Sequence, residues 1–216
     1  TENTGQRRDQ DTKATPERTS HNQPSIATAP PLLLFRADYQ RWYSYFLLSG
    51  VEELSRRRGQ ALQKPAEGDL MLACCDALIA AQTAVIAAES MGIGSCYIGD
   101  IMENFEIHRE LFQLPRYVFP ICLLCFGYPT KQQLHRPLTT RFERRFIVVE
   151  DRYRALDGDE YEAMFRPEAK RRARRRRPAE DIENPGQSMY FGKFTADFSQ
   201  EMRRSVRAML RSWAEG

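Results

Sequence analysis

Apolar and polar positions alternate along the chain in a few well-separated patterns. Thr1 to His21 is polar and charged with no apolar period, the pattern of a disordered leader. Ala29-Pro-Pro-Leu-Leu-Leu-Phe35 is a short continuous apolar run behind prolines, which predicts a buried strand. Asp38 to Leu48 is rich in aromatics and predicts a helix with Trp42, Tyr45 and Phe46 on one side. Glu52 to Glu67, with Arg56-Arg57-Arg58 inside it, predicts a surface loop.

The strongest signal begins at Gly68-Asp69. Asp69 suits a helix start, because its carboxylate can accept backbone N–H groups that have no partner in the first turn. From Leu70 to Met91 the polar residues Asp76, Gln82, Thr83, Glu89 and Ser90 fall within an arc of roughly 140° at about 100° per residue. A helix so widely apolar is expected to be central, packed on other elements or on a dimer partner. Gly92 and Gly94 end it, and Gly92 suits a left-handed cap. Ser95 to Ile98, Val118 to Phe126 and Phe146 to Val149 predict strands; Asn104 to Leu111, Asp159 to Met164 and Phe198 to Trp213 predict helices, the last amphipathic. Buried strands covered by helices imply an α+β or α/β layered fold.

Charge and cysteine content narrow the picture. The net charge is only +3, and much of the positive charge sits in Lys170-Arg-Arg-Ala-Arg-Arg-Arg-Arg177. That run has no interleaved aromatics and no surrounding reading motif, so a solvated linker is favoured over nucleic-acid binding. The five cysteines lie in apolar surroundings, which predicts reduced core thiols and a cytoplasmic protein. The longest apolar stretch, Leu70 to Ala88, is interrupted by Asp76, Gln82 and Thr83 and is not expected to span a bilayer. Cys122 and Cys125 are three apart in a strand and face opposite ways, so no metal site is expected there. His108 and His135 are isolated and read as solvated or capping histidines. Gly92-x-Gly94 is not a dinucleotide fingerprint, since its glycines close a helix where that motif opens one. A turn of small residues between a buried helix and a strand lets backbone approach a flat ligand closely.

Gly68 to Gln82, then Glu89-Ser-Met-Gly-Ile-Gly-Ser-Cys-Tyr-Ile-Gly-Asp100, then Phe126-Gly-Tyr-Pro129, resemble successive blocks of the nitroreductase family. Asn22-Gln-Pro24, Ala37 to Trp42 and Lys193 to Ser205 resemble one bacterial branch of it. The resemblance implies an α+β sandwich: a central antiparallel or mixed sheet flanked by helices, with a C-terminal arm extending to a dimer partner. It implies non-covalent FMN at a homodimer interface, NAD(P)H as electron donor, and nitro compounds, quinones or similar small acceptors in a ping-pong cycle. Tyr97, Ile98, Gly99 and Asp100 match the segment whose backbone meets the isoalloxazine ring, and Arg136 and Arg141 resemble the basic pair that reaches the flavin phosphate. No side chain is singled out as a catalytic acid or base. The family's Arg-Ser-x-Arg segment has no match in Thr1 to His21, where Arg7-Arg8 is followed by Asp9-Gln10. With Thr1 in place of Met, the front of the domain is expected to be missing. The resulting organisation is a leader over 1–21, a nitroreductase-like domain over 22–165, a basic linker over 166–188 and a C-terminal arm with its helix over 189–216. The alternative is a non-catalytic remnant of the fold acting in dimerisation or regulation.

Overall fold

The computed structural model describes residues 4–7, 16, 19, 26, 29, 31–173 and 182–215. The chain forms two compact units, one comprising Thr1–Thr130 with Gln200–Gly216 and the other Lys131–Ser199.

The first unit is built on a four-stranded antiparallel sheet: β1 (Thr4–Arg7), β2 (Leu32–Asp38), β3 (Gly94–Ile98) and β4 (Val118–Gly127), in the order β1-β2-β4-β3. Thr4–Arg7, expected to be an unstructured leader, pairs along β2 from Thr4↔Phe35 to Arg7↔Leu32. Polar residues suffice on an edge strand, whose stability comes from backbone pairing, so apolar periodicity gave no sign of it. Between Phe35 and Arg36 the register against β4 slips, and Pro120, which has no N–H for the ladder, sits opposite Arg36 at that irregularity.

Between β2 and β3 come α1 (Gln40–Leu48), α2 (Val51–Arg57) and α3 (Glu67–Ser90), and between β3 and β4 a 3-10 turn (Gly99–Met102) and α4 (Phe105–Leu111). The expected loop after Glu52 is partly helical. Glu52 and Glu53 occupy the first turn of α2 and Arg56 and Arg57 the last, and Glu53 pairs with both arginines. Helix α3 begins as anticipated, with Asp69 Oδ2 accepting the Ala66 N–H at 2.8 Å.

Small residues decide how α3 packs. Ala77, Ala81 and Ala88 lie against Phe35, Cys122, Leu124 and Phe126 on one face of the sheet. The other face carries Leu32, Leu34, Ile98, Ile101, Leu123 and Cys125, together with Ile26. A third cluster joins Leu70 and Ala73 of α3 to Phe105, Tyr117, Phe119, Met209 and Trp213. Met209 and Trp213 belong to the last helix, α9 (Asp197–Ala214), so its C-terminal portion packs on this chain's own core where an arm to a partner was expected. Met71, Leu72, Leu78, Ile79 and Ile86 of α3 face outward and are exposed. At 24 residues, α3 is long and apolar enough to cross a membrane by length and composition, a test that a core helix also passes. Its alanine stripe is nevertheless engaged by the sheet.

The second unit contains α5 (Lys131–Leu134), α6 (Arg144–Ile147), α7 (Gly158–Ala173) and α8 (Pro185–Met189), followed by a π-helical turn (Tyr190–Phe194) and the first residues of α9. The strand expected at Phe146–Val149 is a helical turn ending at Ile147, with Ile147, Val148 and Val149 exposed and no strand beside it among the described residues. Helix α7 starts with a reciprocal cap, Glu160 N–H to Asp157 Oδ1 and Asp157 N–H to Glu160 Oε2. It runs past the expected end at Met164, over Pro167 and into Lys170–Ala173, because Glu, Ala, Lys and Arg are all good helix formers. Arg174–Arg177 of the basic run lie outside the described residues.

Candidate functional site

The turn from α3 to β3 is fixed by backbone hydrogen bonds. Gly92 has φ +72°, and its N–H donates to Glu89 O at 2.9 Å while the Ile93 N–H donates to Ala88 O at 2.9 Å. This is the paired closure of a Schellman cap, so the left-handed role expected for Gly92 is realised. Gly94 follows for a different reason: a Cβ there would lie 3.3 Å from Gly127 O, a tight contact that β4 would have to yield to by a few tenths of an ångström.

Among the described residues strand β3 pairs only with β4, at the end of the sheet order. Tyr97 projects to the α3 side, half its ring in solvent, with its hydroxyl donating to Gln82 Oε1 at 3.3 Å. Partial burial, with Cys122 nearby, pushes the Tyr97 phenol upward. The Ile98 side chain points the other way into the core beside Ile101 and Leu123, so Ile98 offers a ligand only its backbone. Gly99 opens the 3-10 turn, and a Cβ at Gly99 would meet nothing within 4 Å. Asp100 O accepts the Glu103 N–H at 3.0 Å, which closes that turn. The four neighbouring residues Tyr97 to Asp100 thus present a ring, a buried anchor and bare backbone in succession.

Behind this turn lies a polar cluster that the sequence pattern missed. Glu103 is buried, and burial, with Asp100 and Glu201 nearby, pushes its carboxyl up to about 7. His108, expected to be a solvated or capping histidine, is wholly buried, with Nε2 2.6 Å from Thr19 Oγ1. Burial lowers the affinity of His108 for a proton, opposed by the carbonyls of Ile101 and Glu103. Asn104 Nδ2 donates to Thr19 O at 2.7 Å, a second tie to the same residue. The helical spacing of Ile101, Phe105, His108 and Phe112 is the signal that puts His108 on the buried face.

Arg136 and Arg141 lie in the second unit and are exposed. They line different depressions: Arg136 shares one with Lys131 and His135, whereas Arg141 stands at a pocket walled by aromatic rings. His135 Nδ1 lies 2.7 Å from Lys131 O, one helical turn back. Among the cysteines, Cys122 and Cys125 face opposite sides of the sheet, as the strand period requires. Burial pushes the Cys122 thiol up to about 11. Cys75 and Cys96 are exposed, a correction to the expectation of core thiols throughout; both lie on surfaces where the apolar pattern continues without burial. Among the described residues no three His, Cys, Asp or Glu side chains converge as metal ligands.

A profile of the Nitroreductase family matches residues 2–128, and the chain belongs to that family. The match starts well before Asn22, so residues expected to form a leader fall within the family's domain. Among curated relatives, the oxygen-insensitive NADPH nitroreductase of Salmonella typhimurium is 39% identical over 88 residues, covering 41% of this chain and 35% of that protein. The FMN reductase (NADPH) of Bacillus subtilis is 30% identical over 140 residues, covering 64% and 51%. The matches thus span between about a third and a half of these relatives' lengths. The solved structure of NfrA2 from B. megaterium aligns with a TM-score of 0.73 at 25% identity, covering 97% of this chain and 78% of that one. Nitroreductase A from Vibrio parahaemolyticus aligns with a TM-score of 0.74 at 22% identity, covering 95% and 78%. The architecture is therefore the α+β nitroreductase fold.

Proposed function

We propose that this chain acts as an FMN-dependent oxidoreductase that takes electrons from NAD(P)H and passes them to small acceptors such as nitro compounds or quinones. The observation that carries the reading is the Tyr97–Asp100 segment, where bare backbone at Gly99 follows a half-exposed ring at the end of the sheet order. A flat ring system fits against backbone that no Cβ obstructs, so these residues suit the isoalloxazine. When bound, FMN supplies the electron store between donor and acceptor. The chain's part would be to hold and shield: Ile98 anchors the segment in the core, and Tyr97 and the peptide N–H groups near Gly99 would hold the ring. Arg136 is assigned to the phosphate with Lys131 and His135 beside it, and Arg141 is a second candidate for that role. Donor and acceptor would use the same face in turn, a ping-pong order. The relatives named as NADPH nitroreductase and FMN reductase support this assignment.

The outward residues Leu78, Ile79 and Ile86 of α3 form an apolar face that a second copy of the chain would cover, so the working form is assigned as a homodimer. Five cysteines without a disulfide accord with a cytoplasmic location.

The test is to purify the full chain, saturate it with FMN, and measure retained flavin by its visible absorbance and NADPH oxidation with a quinone acceptor. Retained flavin and acceptor-dependent oxidation are expected. A folded protein that takes up no FMN overturns the proposal.

A further inference from the structure

The second unit holds a pocket of about 510 Å³ whose aromatic walls the flavin reading leaves unused. That volume lies within the range of small-molecule sites, roughly 300–1,000 Å³. Its walls come from three stretches: Phe142, Phe165 of α7 just before Pro167, and Tyr190 with Phe194 of the π-helical turn. The rings are arranged in two pairs. Phe142 and Phe165 meet edge to face with centroids 5.2 Å apart, and Tyr190 and Phe194 stack at 5.4 Å. The turn that carries the second pair is held by the Thr195 N–H to Tyr190 O bond at 3.0 Å, the five-residue spacing of a π-helix. Such turns persist at a cost and concentrate at functional positions.

Although they line a concavity, these side chains remain between 38% and 56% exposed. Four rings left that wet around one hollow gain by a ligand that dries them. Charge at the rim decides what kind. Arg171 is held by Glu168 at 2.6 Å, whereas Arg141 has no carboxylate partner among the described residues. A guanidinium beside aromatic walls matches a planar ring bearing a carboxylate or sulfonate, which its fork can bind through two hydrogen bonds.

We propose that this pocket binds a planar aromatic acid, its ring between the Phe142–Phe165 and Tyr190–Phe194 pairs and its anionic group on Arg141. The site takes Arg141 for the acid and so leaves the flavin phosphate to Arg136 alone.

The experiment is isothermal titration of the full chain with 2-naphthoate and with the neutral 2-naphthalenemethanol, before and after saturation with FMN. Saturable binding of one 2-naphthoate per chain is expected, weakened about tenfold or more for the neutral analogue, for Arg141→Gln and for Phe165→Ala, a loss of about 1.4 kcal/mol or more each. Arg141→Gln changes an exposed residue and keeps the test valid if Phe165→Ala fails to fold. Equal binding of the alcohol, or undiminished binding by Arg141→Gln, overturns the proposal. So does absence of saturable binding, the result expected if a second copy of the chain fills the pocket. Competition between FMN and 2-naphthoate also overturns it, by assigning Arg141 to the flavin phosphate.

Discussion

The indole Nε1–H of Trp213 donates to the carbonyl oxygen of Ala66 at 3.0 Å, joining the last turn of the chain to the residue that starts α3. Trp213 is 1% exposed and packs against Tyr117 and Phe119 at centroid distances of 5.1 and 5.4 Å. Trp213→Ala is expected to cost about 3–5 kcal/mol, while Trp213→Phe, which keeps most of the packing and loses the hydrogen bond, should cost about 1–2 kcal/mol. Urea unfolding of the two variants checks the order.

Helix α4 has no side chain of its own capping its start, and α9 supplies the acceptors. The Asn104 N–H donates to Glu201 Oε1 at 3.1 Å and the Phe105 N–H to Ser205 Oγ at 2.9 Å, while Ser205 Oγ donates to Met102 O at 2.6 Å. Ser205 is fully buried, so Ser205→Ala leaves a donor and an acceptor unpaired and is expected to destabilise by about 1–3 kcal/mol. Breaking the exposed Arg204–Glu106 pair on the same helices should cost under about 1 kcal/mol, despite its two 2.8 Å hydrogen bonds. A thermal melt of each variant distinguishes the two effects.

Glu103 and His108 give stability opposite pH dependences. The Glu103 carboxyl titrates near 7 in the fold against 4.5 for an ordinary glutamate, so the folded state holds its proton longer than the unfolded state. Its contribution is therefore fully present below about 4.5 and lost as pH rises towards 7. His108 is shifted downward by burial from 6.5, so its contribution is lost as pH falls below that value. Glu103→Gln should flatten the alkaline-going decline and raise stability at pH 8 relative to pH 5. Melting temperature against pH, measured for both proteins, would show a parallel shift if Glu103 were an ordinary exposed acid.

Gly99 and Gly94 separate folding from ligand binding. A Cβ at Gly99 meets nothing, so Gly99→Val should leave the melting temperature of the flavin-free protein within about 2 °C while sharply reducing retained FMN. Gly94→Ala places its Cβ 3.3 Å from Gly127 O and should destabilise by about 1 kcal/mol through the β3–β4 pairing. Equal flavin retention by Gly99→Val and the parent would place the ring elsewhere.

On the outer face of α3, Ile79 and Ile86 are 66% and 61% exposed. Replacing both by Asp should convert a dimer to monomer in sedimentation velocity with little loss of secondary structure, because neither side chain is buried in the single chain.

Where local pattern and burial coincide, the sequence was sufficient. The span of α3, the Gly92 cap, β3, β4, α4 and α9 all follow from apolar period and capping chemistry, because those signals are local. The turn after α3 was legible for the same reason: Gly92 takes the left-handed cap that the end of the apolar period asks for. Elements held by pairing or by charge were not. Thr4–Arg7 is a strand because β2 offers it an edge, and α2 is a helix because Glu53 meets Arg56 and Arg57. Phe146–Val149 has strand composition but no neighbouring strand among the described residues, so backbone pairing could not stabilise it there.

The sequence by itself determined the family, the long helix and the glycine turn, since each rests on residue type at fixed spacing. Only the tertiary structure decided that α9 returns to its own core, that His108 and Glu103 are buried, and that Arg136 and Arg141 stand in different depressions. Those outcomes depend on which surfaces meet across about a hundred residues of chain, as between Phe105 and Ser205, and no local pattern carries that information.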